Sequence, residues 1–187
     1  MSNNRIHSLD GSVLRHAPHL VFLDLRGNPI KEIHKDTFRT HQKLRKLILS
    51  NLRELKEFPD LNSTRSLEVL RLDRAHLKNV PSDLCQKCPK LKSLDMKSNQ
   101  LSRIPDLREC RDLRVLDLAS NAISSLSGQP FKNLGALHDL LLSHNNLRNI
   151  PKDAFVGLTR LQVLDLTSNN ITDIPVHAFH PFSNLEI

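Results

Sequence analysis

Leucine recurs along this chain at fixed offsets, and the pattern LxxLxLxxNxIxxI fits it eight times, starting at Leu20, Leu44, Leu67, Leu91, Leu113, Leu137, Leu161 and Leu185. The intervals are 24, 23, 24, 22, 24, 24 and 24 residues. A regular copy reads LQVLDLTSNNITDIPVHAFHPFSNL, in which Leu161, Leu164, Leu166, Asn169, Ile171, Ile174, Phe179 and Phe182 take inward positions before Leu185. Residues 4–14, NRIHSLDGSVL, fit the second half of an earlier repeat through Asn4, Ile6, Leu9 and Leu14. The LxL step alternates with period two and predicts a short strand, and the remaining residues return the chain to the next one.

Each repeat is then one coil that cannot cover its own leucines. Stability comes from stacking, at about 25 cal/mol for each Å² of apolar surface hidden. Parallel strands lie about 4.8 Å apart, whereas the Phe-bearing outer segments need more room, so the array must curve. The expected fold class is an α/β repeat: a curved solenoid with short parallel strands on the concave face and irregular or short helical segments on the convex one. The whole chain, 1–187, reads as a single array, an uncapped fragment of a longer protein. Asn28, Asn99, Asn121, Asn145 and Asn169 share one slot, where a buried amide can bond the backbone of its own and adjacent coils.

One stretch breaks the rhythm. In LSNLRELKEFPDLNSTRSL, Leu49 to Phe58 spans nine residues where Leu25 to Ile33 spans eight, so one residue is inserted in the turn. The outer return is shortened by two residues here and again in IPDLRECRDL. Leu52 or Arg53 replaces the ladder asparagine, and Ala75 replaces it in the next coil. These two coils are expected to change the local curvature and divide the arc into two segments.

Composition changes this picture little. Trp and Tyr are absent, and no run approaches the roughly 18 apolar residues of a membrane span. The net charge of +7 is concentrated between Arg45 and Arg114, where 16 Lys/Arg face 10 Asp/Glu, a surplus of 16 − 10 = 6. An acidic partner such as an acidic glycan fits that surplus. Nucleic acid is not expected, because stacking aromatics and a recognisable binding motif are both missing.

Candidate chemistry is sparse. Cys85 falls in the slot of Phe131, Phe155 and Phe179, while Cys88 and Cys110 fall in the slot of Leu134, Leu158 and Phe182. Three core-facing cysteines without a suitably spaced histidine do not make a zinc site. A disulfide between adjacent coils is expected, and register permits Cys88–Cys110 as readily as Cys85–Cys110. His138, Asp139, Ser143 and His144 crowd one extended segment and cannot converge as nucleophile, base and orienter. The five glycines are dispersed and form no phosphate-binding loop. No catalytic residue, cofactor or metal is expected. Asn62-Ser63-Thr64 and Asn170-Ile171-Thr172 match the glycan acceptor pattern, and with a disulfide they favour an extracellular chain.

Outward strand residues form columns on the concave face. The position between the paired leucines reads Asp24, Ile48, Arg71, Asp95, Asp117, Leu141 and Asp165, and the next reads Arg26, Ser50, Asp73, Lys97, Ala119, Ser143 and Thr167. Lys46, Arg71, Arg74, Asp95, Lys97 and Asp117 are the candidate protein-binding residues. The plainer alternative is a solvated LDL consensus.

The irregularities carry a resemblance. The inserted residue before EFPDL, two coils without the ladder asparagine, and cysteines at Cys85 and Cys110 resemble later ectodomain repeats of leucine-rich-repeat G-protein-coupled receptors, the group of the R-spondin receptors and the arthropod bursicon receptor. That resemblance implies a leucine-rich-repeat horseshoe at the cell surface, on the extracellular side of the plasma membrane. It also implies a secreted protein ligand, R-spondin-like or cystine-knot hormone-like, held on the concave face. Membrane contact would come only through a seven-helix domain downstream. It favours Cys85–Cys110 as the disulfide, with Cys88 as the remaining thiol, and places the best-known ligand contacts mostly in earlier repeats. The alternative is a secreted or matrix repeat protein with an adhesive or structural role.

Overall fold

The computed structural model describes residues 1–182 and contains one parallel sheet that runs the length of the array. Its strands are β2 (Phe22–Asp24), β4 (Lys46–Ile48), β5 (Val69–Arg71), β6 (Ser93–Asp95), β7 (Val115–Asp117), β8 (Asp139–Leu141) and β9 (Val163–Asp165), hydrogen-bonded in chain order. A second pair, β1 (Ser8–Leu9) and β3 (Glu32–Ile33), is also parallel and joins the N-terminal residues to the Leu20 coil. Register follows the leucines: Leu23, Leu47, Leu70, Leu94, Leu116, Leu140 and Leu164 stand in one row. The first leucine of the next repeat, Leu185, lies outside the described residues.

Helix is almost absent, because two-residue alternation followed by turn chemistry offers no 3.6-residue stripe. Among the described residues only α1 (Gly11–Leu14) and α2 (Leu84–Lys87) form, each a single turn in an outer segment. The leucines pack into a continuous core, joined on the outer side by Phe38, Phe131 and Phe155. Phe155 lies 6.4 Å from Phe131, 6.0 Å from Phe179 and 5.4 Å from Phe182 between ring centroids, so the last outer segments are held by an aromatic stack. Burial fades at the end of the array. Leu164 and Leu166 are half-buried, and Ile174, expected inside, is 47% exposed. In the interior coils the corresponding positions are covered by the coil that follows.

The asparagine ladder is present where the sequence places it. Asn145 is typical: its Nδ2 donates to Leu118 O (3.0 Å) in the preceding coil and Leu142 O (3.1 Å) in its own, while its Oδ1 accepts from Ile123 N (3.0 Å). Asn28, Asn99, Asn121 and Asn169 repeat this arrangement. One residue before the slot, each coil bends through the left-handed region, at Asn3, Gly27, Asn51, Arg74, Ser98, Ser120, His144 and Ser168. From Asn3 to His144 their N–H groups point into the next coil, as His144 N to Thr167 O at 2.8 Å.

This column of bends locates the insertion. Asn51 bends as its counterparts do, so Leu52 occupies the ladder slot, and the extra residue falls between Leu52 and Leu55. Leu52 and Ala75 are both buried and apolar there. His76 N still donates to Leu55 O (3.1 Å), and the strand register passes through both coils unchanged. The break therefore leaves the strands in step and is taken up in the turn and in the shortened outer return from Phe58 to Leu67.

The outer slot that later coils fill with leucine takes other side chains in the earlier part of the array. It holds His41, Thr64, Cys88 and Cys110 in four successive coils, all buried. Thr64 donates its hydroxyl to Leu61 O (3.1 Å) and touches Cys88 Sγ (3.4 Å), but neither ring nitrogen of His41 has a partner among the described residues. A buried polar atom without a partner costs about 1–3 kcal/mol. Replacing His41 with the leucine that Leu134 and Leu158 place in this slot, His41→Leu, is expected to raise stability by about 1 kcal/mol in urea unfolding.

Candidate functional site

The concave face is built by strand residues that alternate away from the leucine row. Three outward columns result, and in the first, which begins at Phe22 and Lys46, the LDL motif marks neither residue, so that Lys46 is a candidate but Phe22 is not. Phe22 is 50% exposed, and the Lys46 ammonium lies 5.5 Å from its ring centroid. Period-two alternation alone would have put Phe22 on this face.

Among the candidate residues, Arg71, Arg74 and Asp95 converge, and the group that joins them is Asp73. This carboxylate is buried, accepts from Ser50 Oγ, and lies 3.2 Å from Arg74 Nε and 3.6 Å from Arg71 Nε. Arg71 Nε is also 3.5 Å from Asp95. Two coils are thus bridged by a compact ionic cluster at the centre of the face. Asp73 stood in an outward column like any other residue, and the signal for it was local: arginines two residues before it and one after it. Lys97 lies exposed beside the cluster, while Lys46 is set apart with Phe22. Asp24 and Arg26 neutralise each other at 2.6 Å, and that pairing holds Asp24 below the ordinary carboxylate range.

The LDL aspartates also have a backbone task. Asp24, Asp95, Asp117 and Asp165 each accept the N–H two residues on, from Arg26 (3.1 Å), Lys97 (3.0 Å), Ala119 (3.0 Å) and Thr167 (2.9 Å). These bonds cap the strand and turn the chain toward the left-handed bend. Consequently Asp95 and Asp117, chosen as surface groups, are half-buried structural ones. Burial pushes the Asp95 carboxyl up to about 6 against the bond from Lys97 N–H, and nearby Asp73 and Asp117 push in the same direction. Asp117 is raised for the same first reason.

The sign of the linkage follows. With its folded value above the ordinary 3.8, Asp95 keeps a proton in the native state that the unfolded chain has lost, so stability falls as pH rises from about 4 to 6. Asp95→Asn preserves the acceptor for Lys97 N–H and removes the charge. It is expected to add about 1 kcal/mol near neutral pH, after solvent screening and the lost Arg71 contact are allowed for, and nothing below about pH 3.5. Urea midpoints at the two pH values check it.

Cys85 and Cys110 are joined, with sulfurs 2.02 Å apart. Cys88 is the free thiol, wholly buried, and burial raises its pKa. Asn62 and Asn170 are both exposed. Asn62 closes an Asx turn by donating its N–H to Asp60 Oδ1 (2.9 Å), and Asn170 stands beside the ladder Asn169 with its N–H bonded to Leu147 O (2.9 Å). His138 and Asp139 pair at 2.6 Å, but without a converging nucleophile they form no catalytic set. No group of three or more His, Cys, Asp or Glu side chains suited to a metal ion occurs among the described residues.

A solenoid of stacked leucine coils with an asparagine ladder and an open, charged concave face defines a leucine-stacked repeat protein. The leucine rich repeat model matches residues 1–52, 65–121, 111–171 and 136–187, and the chain belongs to that family. Among curated relatives it is 34% identical over 135 residues to human leucine-rich repeat-containing G-protein coupled receptor 6, an alignment covering 72% of this chain and 14% of the receptor. It is 38% identical over 107 residues to the Danio rerio receptor of that name, covering 57% of the chain and 11% of the receptor. The chain thus spans about one seventh or less of these relatives. Among solved structures, the TLR13–ssRNA13 complex superposes with a TM-score of 0.85 at 30% identity, covering 94% of this chain and 25% of that one.

Proposed function

We propose that this chain is part of the ectodomain of a G-protein-coupled receptor, displayed on the extracellular side of the plasma membrane, where its concave face binds a secreted protein. The observation that carries this reading is the similarity to leucine-rich repeat-containing G-protein coupled receptors. The ionic cluster of Arg71, Asp73, Arg74 and Asp95 supports it, flanked by Lys97, which makes no ion pair among the described residues, and by the Phe22–Lys46 pair. Such a face offers complementary charge around one exposed aromatic. The reading involves no catalytic step: the repeats bind, and signalling belongs to a membrane domain. R-spondin-like and cystine-knot hormone-like proteins are the ligand classes, with an acidic glycan as a second partner. Asn62 and Asn170 are the proposed glycan attachment sites, with Asn62 on the outer side and clear of the concave face.

The test uses the full-length protein displayed on cells and a panel of recombinant R-spondins and cystine-knot hormones. Binding of one panel member, weakened about tenfold by Arg74→Glu with Lys97→Glu, is the expected result. Capture of no panel member, or capture that is indifferent to these changes, would count against the concave site. A full transcript without seven apolar spans would favour the adhesive matrix protein.

A further inference from the structure

Both shortened returns leave an open groove on the outer side of the arc. From Ile104 to Leu113 the chain advances nine positions, against eleven from Val80 to Leu91 and eleven from Leu126 to Leu137. The Leu91 coil therefore falls short of its neighbours, and a groove of about 740 Å³ opens across three successive coils. The Leu44 coil, also nine positions from Phe58 to Leu67, borders a smaller one of about 300 Å³.

The larger groove is markedly cationic. Lys78, Arg103, Arg108 and Lys132 line it, all exposed, against the single carboxylate of Asp106. Asp106 is already committed to Arg108, whose guanidinium approaches to 2.8 Å and holds the carboxyl below its ordinary range. Lys78, Arg103 and Lys132 make no ion pair among the described residues. The floor is fixed on both sides. The Cys85–Cys110 disulfide ties the short return to the preceding coil, and Asn133 Nδ2 donates to Arg108 O (3.2 Å) from the following one.

We propose that this groove binds a sulfated glycan chain. Its cations stand on three successive coils, at least about 4.8 Å apart per coil and more on the outer side, which suits a linear polyanion lying along the array. The lining contains no aromatic side chain on which a peptide anchor or a nucleic-acid base could stack. The outer position leaves the concave face free, so glycan and protein ligand can be held together. The proposal rests on the receptor reading only for its extracellular setting.

The full-length protein displayed on cells is titrated with a size-defined heparin oligosaccharide at about physiological salt, with a desulfated oligosaccharide and polyglutamate as comparisons. Lys78→Gln, Arg103→Gln and Lys132→Gln together are expected to weaken heparin binding about tenfold. The same charge removed at Lys43, Arg148 and Lys152 is expected to change it less than about twofold. In the unsubstituted protein, heparin should shield Lys78 and Lys132 from amine acetylation, a readout independent of any variant's folding. Equal losses in the two triple variants, absent shielding, or no heparin binding overturns the proposal. Polyglutamate bound as tightly at the same residues would make the occupant an acidic polypeptide and also overturn it. None of these readouts uses the concave residues, so failure here leaves protein-ligand binding to be judged separately.

Discussion

Asn145→Leu is expected to destabilise the array by about 3 kcal/mol. The amide is buried and connects coils on both sides of a turn, through Leu118 O, Leu142 O and Ile123 N. A leucine would fill the volume but leave the Ile123 N–H without an acceptor and remove a donor from two carbonyls, each loss counting about 1–3 kcal/mol when water cannot enter. Hydrogen exchange reads the effect directly. The Ile123 amide should exchange faster by roughly two orders of magnitude, because 1.4 kcal/mol corresponds to a tenfold change. Leu52 and Ala75 fill this slot naturally in two successive coils, and the Leu52 coil carries an extra residue between Leu52 and Leu55. Asn145 has no such adjustment, so an effect below about 1 kcal/mol would show that the ladder bonds are replaceable by packing.

Joint substitution of Cys85→Ala and Cys110→Ala is expected to cost about 3 kcal/mol. The bond closes a loop with a sequence separation of 25, and the chain-entropy model assigns about that value to a loop of this size. Reduction of the unsubstituted chain should reproduce most of the loss, whereas Cys88→Ala removes only a small buried thiol and should cost about 1 kcal/mol. Calorimetry with and without reductant separates the three cases. If secreted material yielded Cys85 and Cys110 both alkylated without reduction, the cross-link would not operate in the native protein.

The repeat was legible because LxL spacing, ladder asparagines and outer phenylalanines report the same coil at three separate points. The strands begin and end within the leucine motif, and the row from Leu23 to Leu164 follows the intervals read from the chain. The concave site was legible only by position. Side-chain identity on a strand says which face a residue takes, not which neighbour it meets across coils. Hence Asp73 was passed over although it anchors the cluster, and Asp95 and Asp117 were selected for exposure although each caps its own strand. Phe22 was missed because the LDL frame begins one residue later. The grooves could not be read from any single coil, since a short return matters only beside longer neighbours.

The disulfide has a mechanical consequence. A stacked array pulled from its ends can peel coil by coil, each 24-residue coil releasing up to roughly 80 Å of extended chain. Cys85 and Cys110 lie about one coil apart, so the length between them cannot be drawn out however hard the ends are pulled. Peeling that arrives from either terminus meets the same covalent bypass, and the load crosses it through the sulfur–sulfur bond. Under tension the array would yield stepwise up to this clamp and transmit force beyond it without lengthening the enclosed coil.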